Sequence, residues 1–239
     1  MGVYLYPSGT ETELKNVYIW SNSWQPWANT LAYYTFDDQN ANQITDVVNG
    51  YNLTGWTMPT YTLVGGTNYA WNYNNQSTGY GSSGSSWSSI YWNYINTWIT
   101  LVLWIKISAT GSQYITMWND NSNQISIIYG FTSGKIEIFG DTRSTILSNT
   151  QLDTWYCVWI TRGNSKVNTY INGTYVWQVS TTHTQSSSTF YIGWTWSGKW
   201  SVNDRFHWQI WECVIEQWMW SASDFLDYYN RTKWNYGIS

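Results

Sequence analysis

Leu152–Arg162 reads LDTWYCVWITR, Val167–Val176 VNTYINGTYV, Ser188–Thr195 STFYIGWT and Phe206–Glu216 FHWQIWECVIE. Each is a short run rich in β-branched and aromatic residues, bounded by turn formers, which is the signature of a strand. Asn172-Gly173 is the dipeptide that a two-residue hairpin turn favours. The period then changes in Trp220–Asn230, WSASDFLDYYN. Ser221 or Ser223 can cap, and Phe225, Tyr228 and Tyr229 fall at i, i+3, i+4, so a helix is expected over Ser221–Arg231 and nowhere else. Four such runs, one divided by that turn, followed by one polar, amphipathic tail are expected to form the back half of a β-sandwich.

Working towards the N-terminus, Ile99–Ile107 (ITLVLWIKI) is the most apolar run and is expected to be a central strand covered on both faces. Tyr114–Trp118, Ile125–Tyr129 and Lys135–Phe139 follow at the spacing of sandwich strands. Leu31–Phe36, Tyr61–Val64 and Tyr69–Tyr73 add further runs, and Val47–Leu53 contains a second Asn-Gly turn at Asn49-Gly50. Gly79–Ser89 is Gly/Ser-rich and reads as a long loop. Residues 1–28, with Pro7 and Pro26, read as a lead or linker, leaving 29–239 as one domain.

The 239 residues suit a single all-β domain. Apolar residues at 43% can fill a core, while charged residues make up only 10% and the net charge is −4. Such a neutral, hydrogen-bonding surface suits extracellular and sugar-facing proteins. With no basic run, it offers nothing to a phosphate backbone, which excludes nucleic acid, and nothing to an anionic membrane. No apolar run approaches the ~20 residues of a membrane-spanning helix. The start, MGVYLYPSGTETELKN, lacks the basic and apolar blocks of a signal peptide. The chain is therefore expected to be cytosolic, exported by another route or a piece of something larger.

In their order, LAYYTFDD, TLVLWIK with Trp104, LDTWYCVWITR with Trp155, the VNTYINGTYV hairpin, YIGW, FHWQIWECVIE and SASDF resemble the laminin-G-like jelly rolls of the concanavalin A-like lectin/glucanase superfamily. The resemblance spans about Leu31 to Asn230. It implies an all-β, two-sheet antiparallel jelly-roll sandwich with a short C-terminal helix, joined by Greek-key connections.

Twenty-one tryptophans are many for such a fold, and several stand in unexpected places. Trp208 falls where the family has a turn or bulge glycine, and Trp71 where a small residue is usual. Trp194, Trp196 and Trp200 crowd one loop, and Trp20, Trp56 and Trp177 occupy turn-like settings. Two readings stand open. Either the protein presents tryptophan for stacking, or its gene uses UGA for glycine and has been decoded with UGA as tryptophan. UGG codons at Trp194, Trp196 and Trp208 would exclude the second.

Glycosidases need two carboxylates about 5–10 Å apart across the sugar bond. The superfamily's E-x-D-x-x-E strand is absent. Glu212 and Glu216 come nearest and are expected to be exposed strand carboxylates sharing a face, more than ~10 Å apart by strand rise. His183 and His207 have no readable partners, so neither a triad nor a zinc site is suggested. No cofactor is expected beyond calcium, the usual metal of such lectins, for which Asn119, Asp120 and Asn121 with Asp204 are the candidate ligands; ordinary Asx turns are the competing reading. Cys157 and Cys213 are expected to be buried thiols or, alternatively, a disulfide between neighbouring strands. For carbohydrate, flat aromatic faces on rim loops are the useful tools, and Tyr80, Trp87, Trp92, Trp194, Trp196 and Trp200 form the candidate platform.

The expectation is a non-catalytic recognition or adhesion module of a surface or phage-fibre-type protein, extracellular, on a cell surface or on a virion. Its partner would be a glycan or surface protein, with residues 1–28 tethering it to a larger assembly. A structural spacer domain of an appendage is the alternative, and a glycoside hydrolase or lyase the second alternative.

Overall fold

The computed structural model of the chain describes residues 29–36, 43–55, 60–64, 68–72, 80–81, 98–108, 113–119, 124–130, 134–139, 141–163, 165–182, 189–192 and 208–238. Its strands run β1 (Thr30–Tyr34), β2 (Gln43–Ile44), β3 (Leu53–Gly55), β4 (Thr60–Val64), β5 (Asn68–Asn72), β6 (Tyr80–Gly81), β7 (Trp98–Ile107) and β8 (Gln113–Asn119). The series continues with β9 (Gln124–Tyr129), β10 (Ile136–Phe139), β11 (Arg143–Leu147), β12 (Thr154–Gly163), β13 (Lys166–Ile171), β14 (Thr174–Ser180), β15 (Thr189–Ile192) and β16 (Trp208–Glu216). Helix α1 (Ala222–Thr232) and a 3-10 turn (Lys233–Tyr236) close it. The strands form two antiparallel sheets. The first orders β14-β13-β12-β7-β16-β5-β4, with β1 also paired to β16; the second orders β11-β10-β9-β8-β15-β6-β3-β2. Neighbours in a sheet are often distant in sequence, as in a jelly roll.

Alternation along β7 explains the layers. Ile99, Leu101, Leu103, Ile105 and Ile107 join Tyr156, Val158 and Ile160 of β12 and Ile210, Cys213 and Ile215 of β16 in the inter-sheet core. Ile115, Ile127, Tyr129, Ile136, Ile138, Phe190 and Ile192 of the second sheet complete that core. The other face of β7 is buried too: Val102 and Trp104 belong to a second cluster with Trp155, Cys157, Trp159, Trp211, Trp220, Phe225, Tyr228 and Tyr236. Helix α1 supplies the cover, so the expectation of a doubly covered strand holds. Ser221 caps the helix, accepting from the Asp224 N–H, while the Asp224 carboxylate accepts from the Ser221 N–H.

A bulge in β16 keeps the two faces in phase. Ile210 lies opposite Ile105 and Glu212 opposite Trp104, so Trp211 is the extra residue. Trp211 joins the outer cluster, and Cys213 and Ile215 return to the inner core. The hairpin at Asn172-Gly173 has both residues at positive φ (48° and 82°), as a type I′ turn requires. A Cβ on Gly173 would also lie 3.0 Å from Tyr229 Cδ1, so close approach to α1 reinforces the need for glycine.

Several expectations are corrected. Trp177 lies in strand β14 and Trp208 begins β16, neither in a turn. Among the described residues the positive-φ positions are glycines or Phe36, Asn149, Asp153, Ser165 and Asn172, so no described tryptophan occupies a backbone that demands glycine. Tyr80-Gly81, inside the expected loop, is a strand, and Arg143–Leu147 is a strand the sequence reading passed over. The Asn49-Gly50 turn falls, as expected, in the connection between the antiparallel partners β2 and β3, with Gly50 at φ 75°. Asp46 organises it, its carboxylate accepting from the N–H groups of Tyr33, Val48, Asn49 and Tyr51. Cys157 and Cys213 are both buried and free. They lie on opposite faces of the first sheet with β7 between their strands, which rules out the disulfide. The 1–28 lead lies outside the described residues.

Candidate functional site

Of the expected platform, Trp87, Trp92, Trp194, Trp196 and Trp200 lie outside the described residues, as do Asp120, Asn121 and Asp204 of the expected calcium set and His183 and His207. Tyr80 stands in β6 opposite Ile192, which itself pairs with Thr116. Asn119 ends β8 opposite Thr189. Tyr80 and Asn119 therefore share the second sheet but stand two strands and three residues apart, the latter roughly 10 Å along the strand.

The two strand carboxylates are not exposed. Glu212 is 3% exposed, beneath α1, and its oxygens accept from the hydroxyls of Tyr33 (2.6 Å) and Tyr228 (2.9 Å). Burial, reinforced by Glu212, raises the Tyr228 hydroxyl well above its ordinary range. The Cys157 and Cys213 thiols are raised by burial first and then by Glu212, which keeps both protonated and inert. Glu216 is fully buried on the same face; its Oε1 accepts from Thr30 Oγ1, and its Oε2 has no hydrogen-bond partner among the described residues. The two carboxylates share a face as expected but are buried rather than exposed, because α1 and the segment leading to it cover that face. Both carboxylates are shut away from solvent.

Burial lifts the Glu216 carboxyl to about 7, against a smaller lowering by the Thr30 hydrogen bond. The folded state therefore holds this proton to a higher pH than the unfolded chain. The stability it confers is complete below its ordinary 4.5 and is lost as pH rises through about 7. Over that window the group accounts for a decline of at most about 3 kcal/mol. Urea midpoints at pH 5 and pH 8 should differ less in Glu216→Gln than in wild type by up to this amount. Equal differences would place the dependence elsewhere.

Beyond the rows that α1 covers, the outer face of the first sheet carries a polar row. Thr30, Glu216, Thr100, Thr161, Asn168 and Gln178 are successive cross-strand partners over six strands. Asn168 Nδ2 donates to Thr161 Oγ1, and Gln178 Nε2 donates to Asn168 Oδ1. Thr100 Oγ1 donates to the Trp218 carbonyl and accepts from the Trp220 N–H, fixing the approach to α1. One step further along β7, Trp98 pairs with Gly163. The six-membered ring of Trp98 fills the space that a Cβ on Gly163 would occupy, and Met219 Sδ would lie 2.8 Å from the same point. Trp98 remains 43% exposed and Trp218 53%. This arrangement can present aromatic carbon beside amides. The sequence reading passed over Trp98, Asn168 and Gln178. The available signal was alternation: Trp98 falls in phase with Thr100, Val102 and Trp104.

No family model and no curated protein sequence matches the chain. Solved structures do resemble it. A Trypanosoma rangeli sialidase bound to sialic acid superposes at TM-score 0.68 with 14% identity, over 98% of this chain and 36% of that one. A botulinum neurotoxin type C chain, from a toxin whose cell entry depends on two ganglioside molecules, matches at 0.62 and 14%, over 85% and 51%. Domain 4 of AbnA, a GH43 extracellular arabinanase from Geobacillus stearothermophilus solved with arabinotriose, matches at 0.61 and 18%, over 83% and 97%. At these identities the likeness establishes the fold alone, a jelly-roll-like β-sandwich consistent with the concanavalin A-like type. The chain spans about a third of the sialidase and half of the toxin chain.

Proposed function

We propose that this chain is a non-catalytic glycan-recognition module, laminin-G-like in kind, of a surface-displayed or fibre-type extracellular protein or virion. The observation that carries the reading is its near domain-length overlap with AbnA domain 4, a module solved with arabinotriose. The sialidase and toxin likenesses add less, because their ligands belong to longer chains. The sparsely charged, amide- and hydroxyl-rich surface and the internal commitment of Glu212 and Glu216 agree with binding without cleavage. Residues 1–28 tether the module to its assembly.

Affinity electrophoresis against a polysaccharide panel, with and without calcium, tests this. Retention by at least one glycan is expected. No retention under either condition would instead favour a structural spacer in an appendage, and release of reducing sugar would make the protein a hydrolase.

A further inference from the structure

We propose that the end of the first sheet's outer face marked by Trp98, where Trp98 and Trp218 remain exposed, is the docking surface for a neutral oligosaccharide. This rests on the glycan-recognition reading above and gives that reading a place. Three features argue for it. Gly163 offers no side chain, so the Trp98 ring rests on the sheet itself with Met219 alongside. A ring immobilised before binding loses little further freedom when a sugar stacks on it. The amide ladder comes second. Asn168 is the diagonal neighbour of Gly163 across β12 and β13, within roughly 7–8 Å by strand geometry. Its donors and acceptors run in one direction, from Gln178 through Asn168 to Thr161, leaving Gln178 Oε1 at the exposed edge as an acceptor for a sugar hydroxyl. Third, the Trp218 carbonyl is tied to Thr100, the next outward residue of β7 after Trp98, which holds the backbone of a second exposed tryptophan at the same end of the face. Among the described residues, the ladder and both tryptophans are uncharged where they meet solvent, apart from Lys166 opposite Gly163, so the complement is a neutral sugar chain.

The test uses the full chain in affinity electrophoresis against neutral arabinan, glucan, mannan and galactan, with polygalacturonate as the acidic arm. Trp98→Ala should weaken neutral-glycan binding roughly tenfold or more, about 1.4 kcal/mol. Gln178→Ala should weaken it several-fold, while Trp234→Ala, beyond α1, leaves it unchanged. Should Trp98→Ala fail to fold, Gln178→Ala and Trp218→Ala decide. Wild-type retention with undiminished binding in these variants would overturn the Trp98 surface and leave the glycan reading intact. Absence of wild-type retention on every polymer would overturn both. Retention on polygalacturonate alone, abolished by salt, would assign capture to Lys166 and overturn the neutral-sugar surface.

Discussion

A chain ending at Gln217 should fail to fold. Truncation there removes Trp220, Phe225, Tyr228 and Tyr236, all buried against the outer face of the first sheet. Trp159 loses its ring contacts with Phe225 (3.9 Å between centroids) and Trp220 (5.5 Å), and Trp104 loses its stack with Tyr236 (3.8 Å). The Trp104 indole N–H also loses its acceptor, Thr232 Oγ1. Burial of one large apolar side chain is worth roughly 1.5–3 kcal/mol. Four together rival the ~5–15 kcal/mol by which a domain is stable at all. The expected result is an aggregating product without near-ultraviolet circular dichroism. A truncated chain that stays monomeric and melts cooperatively within a few degrees of the full one would show that α1 is dispensable.

Glu212→Ala should cost about 3–5 kcal/mol, read as a shift in urea midpoint. The substitution leaves the Tyr33 and Tyr228 hydroxyls, both inside a sealed aromatic cluster, without the carboxylate that accepts from them. It also leaves a void opposite Trp104, which the bulge at Trp211 had brought Glu212 to face. Replacing the whole set (Glu212→Leu with Tyr33→Phe and Tyr228→Phe) should recover part of the loss, because the two hydroxyls go with the carboxylate that accepted from them. A midpoint for Glu212→Ala within about 1 kcal/mol of wild type would mean that water or a neighbour takes the carboxylate's place.

Both results turn on the outer face of the first sheet: the apolar run of β7 marks it for covering, but not what covers it. The period-two pattern of TLVLWIK and TWYCVWIT separated two sets of side chains, and the helical spacing of Phe225, Tyr228 and Tyr229 announced an amphipathic segment. What the chain did not announce was that the segment lies back over Trp104 and Trp159. That packing is a tertiary event, and it moves Glu212 and Glu216 from their default place in water to the interior. The β16 bulge was hidden for a related reason: a single extra residue leaves the local composition unchanged and shows only as a shift of pairing from Ile210 to Glu212. Recognition residues commonly sit on loops, and the expected loop tryptophans lie outside the described residues. Trp98 was masked by its membership of the most apolar strand.

Strand β7 takes both its partners, β12 and β16, from later in the chain, and β1 also waits for β16. During synthesis the middle of this sheet therefore cannot close until Glu216 has left the ribosome. The indole-lined surface then stays bare until the residues up to Tyr236 follow. A nascent chain of this kind passes through a long adhesive interval, exposed to chaperones and to its own copies. Slowing translation just before Trp208 should lengthen that interval and lower the yield of monomer without altering a single native contact.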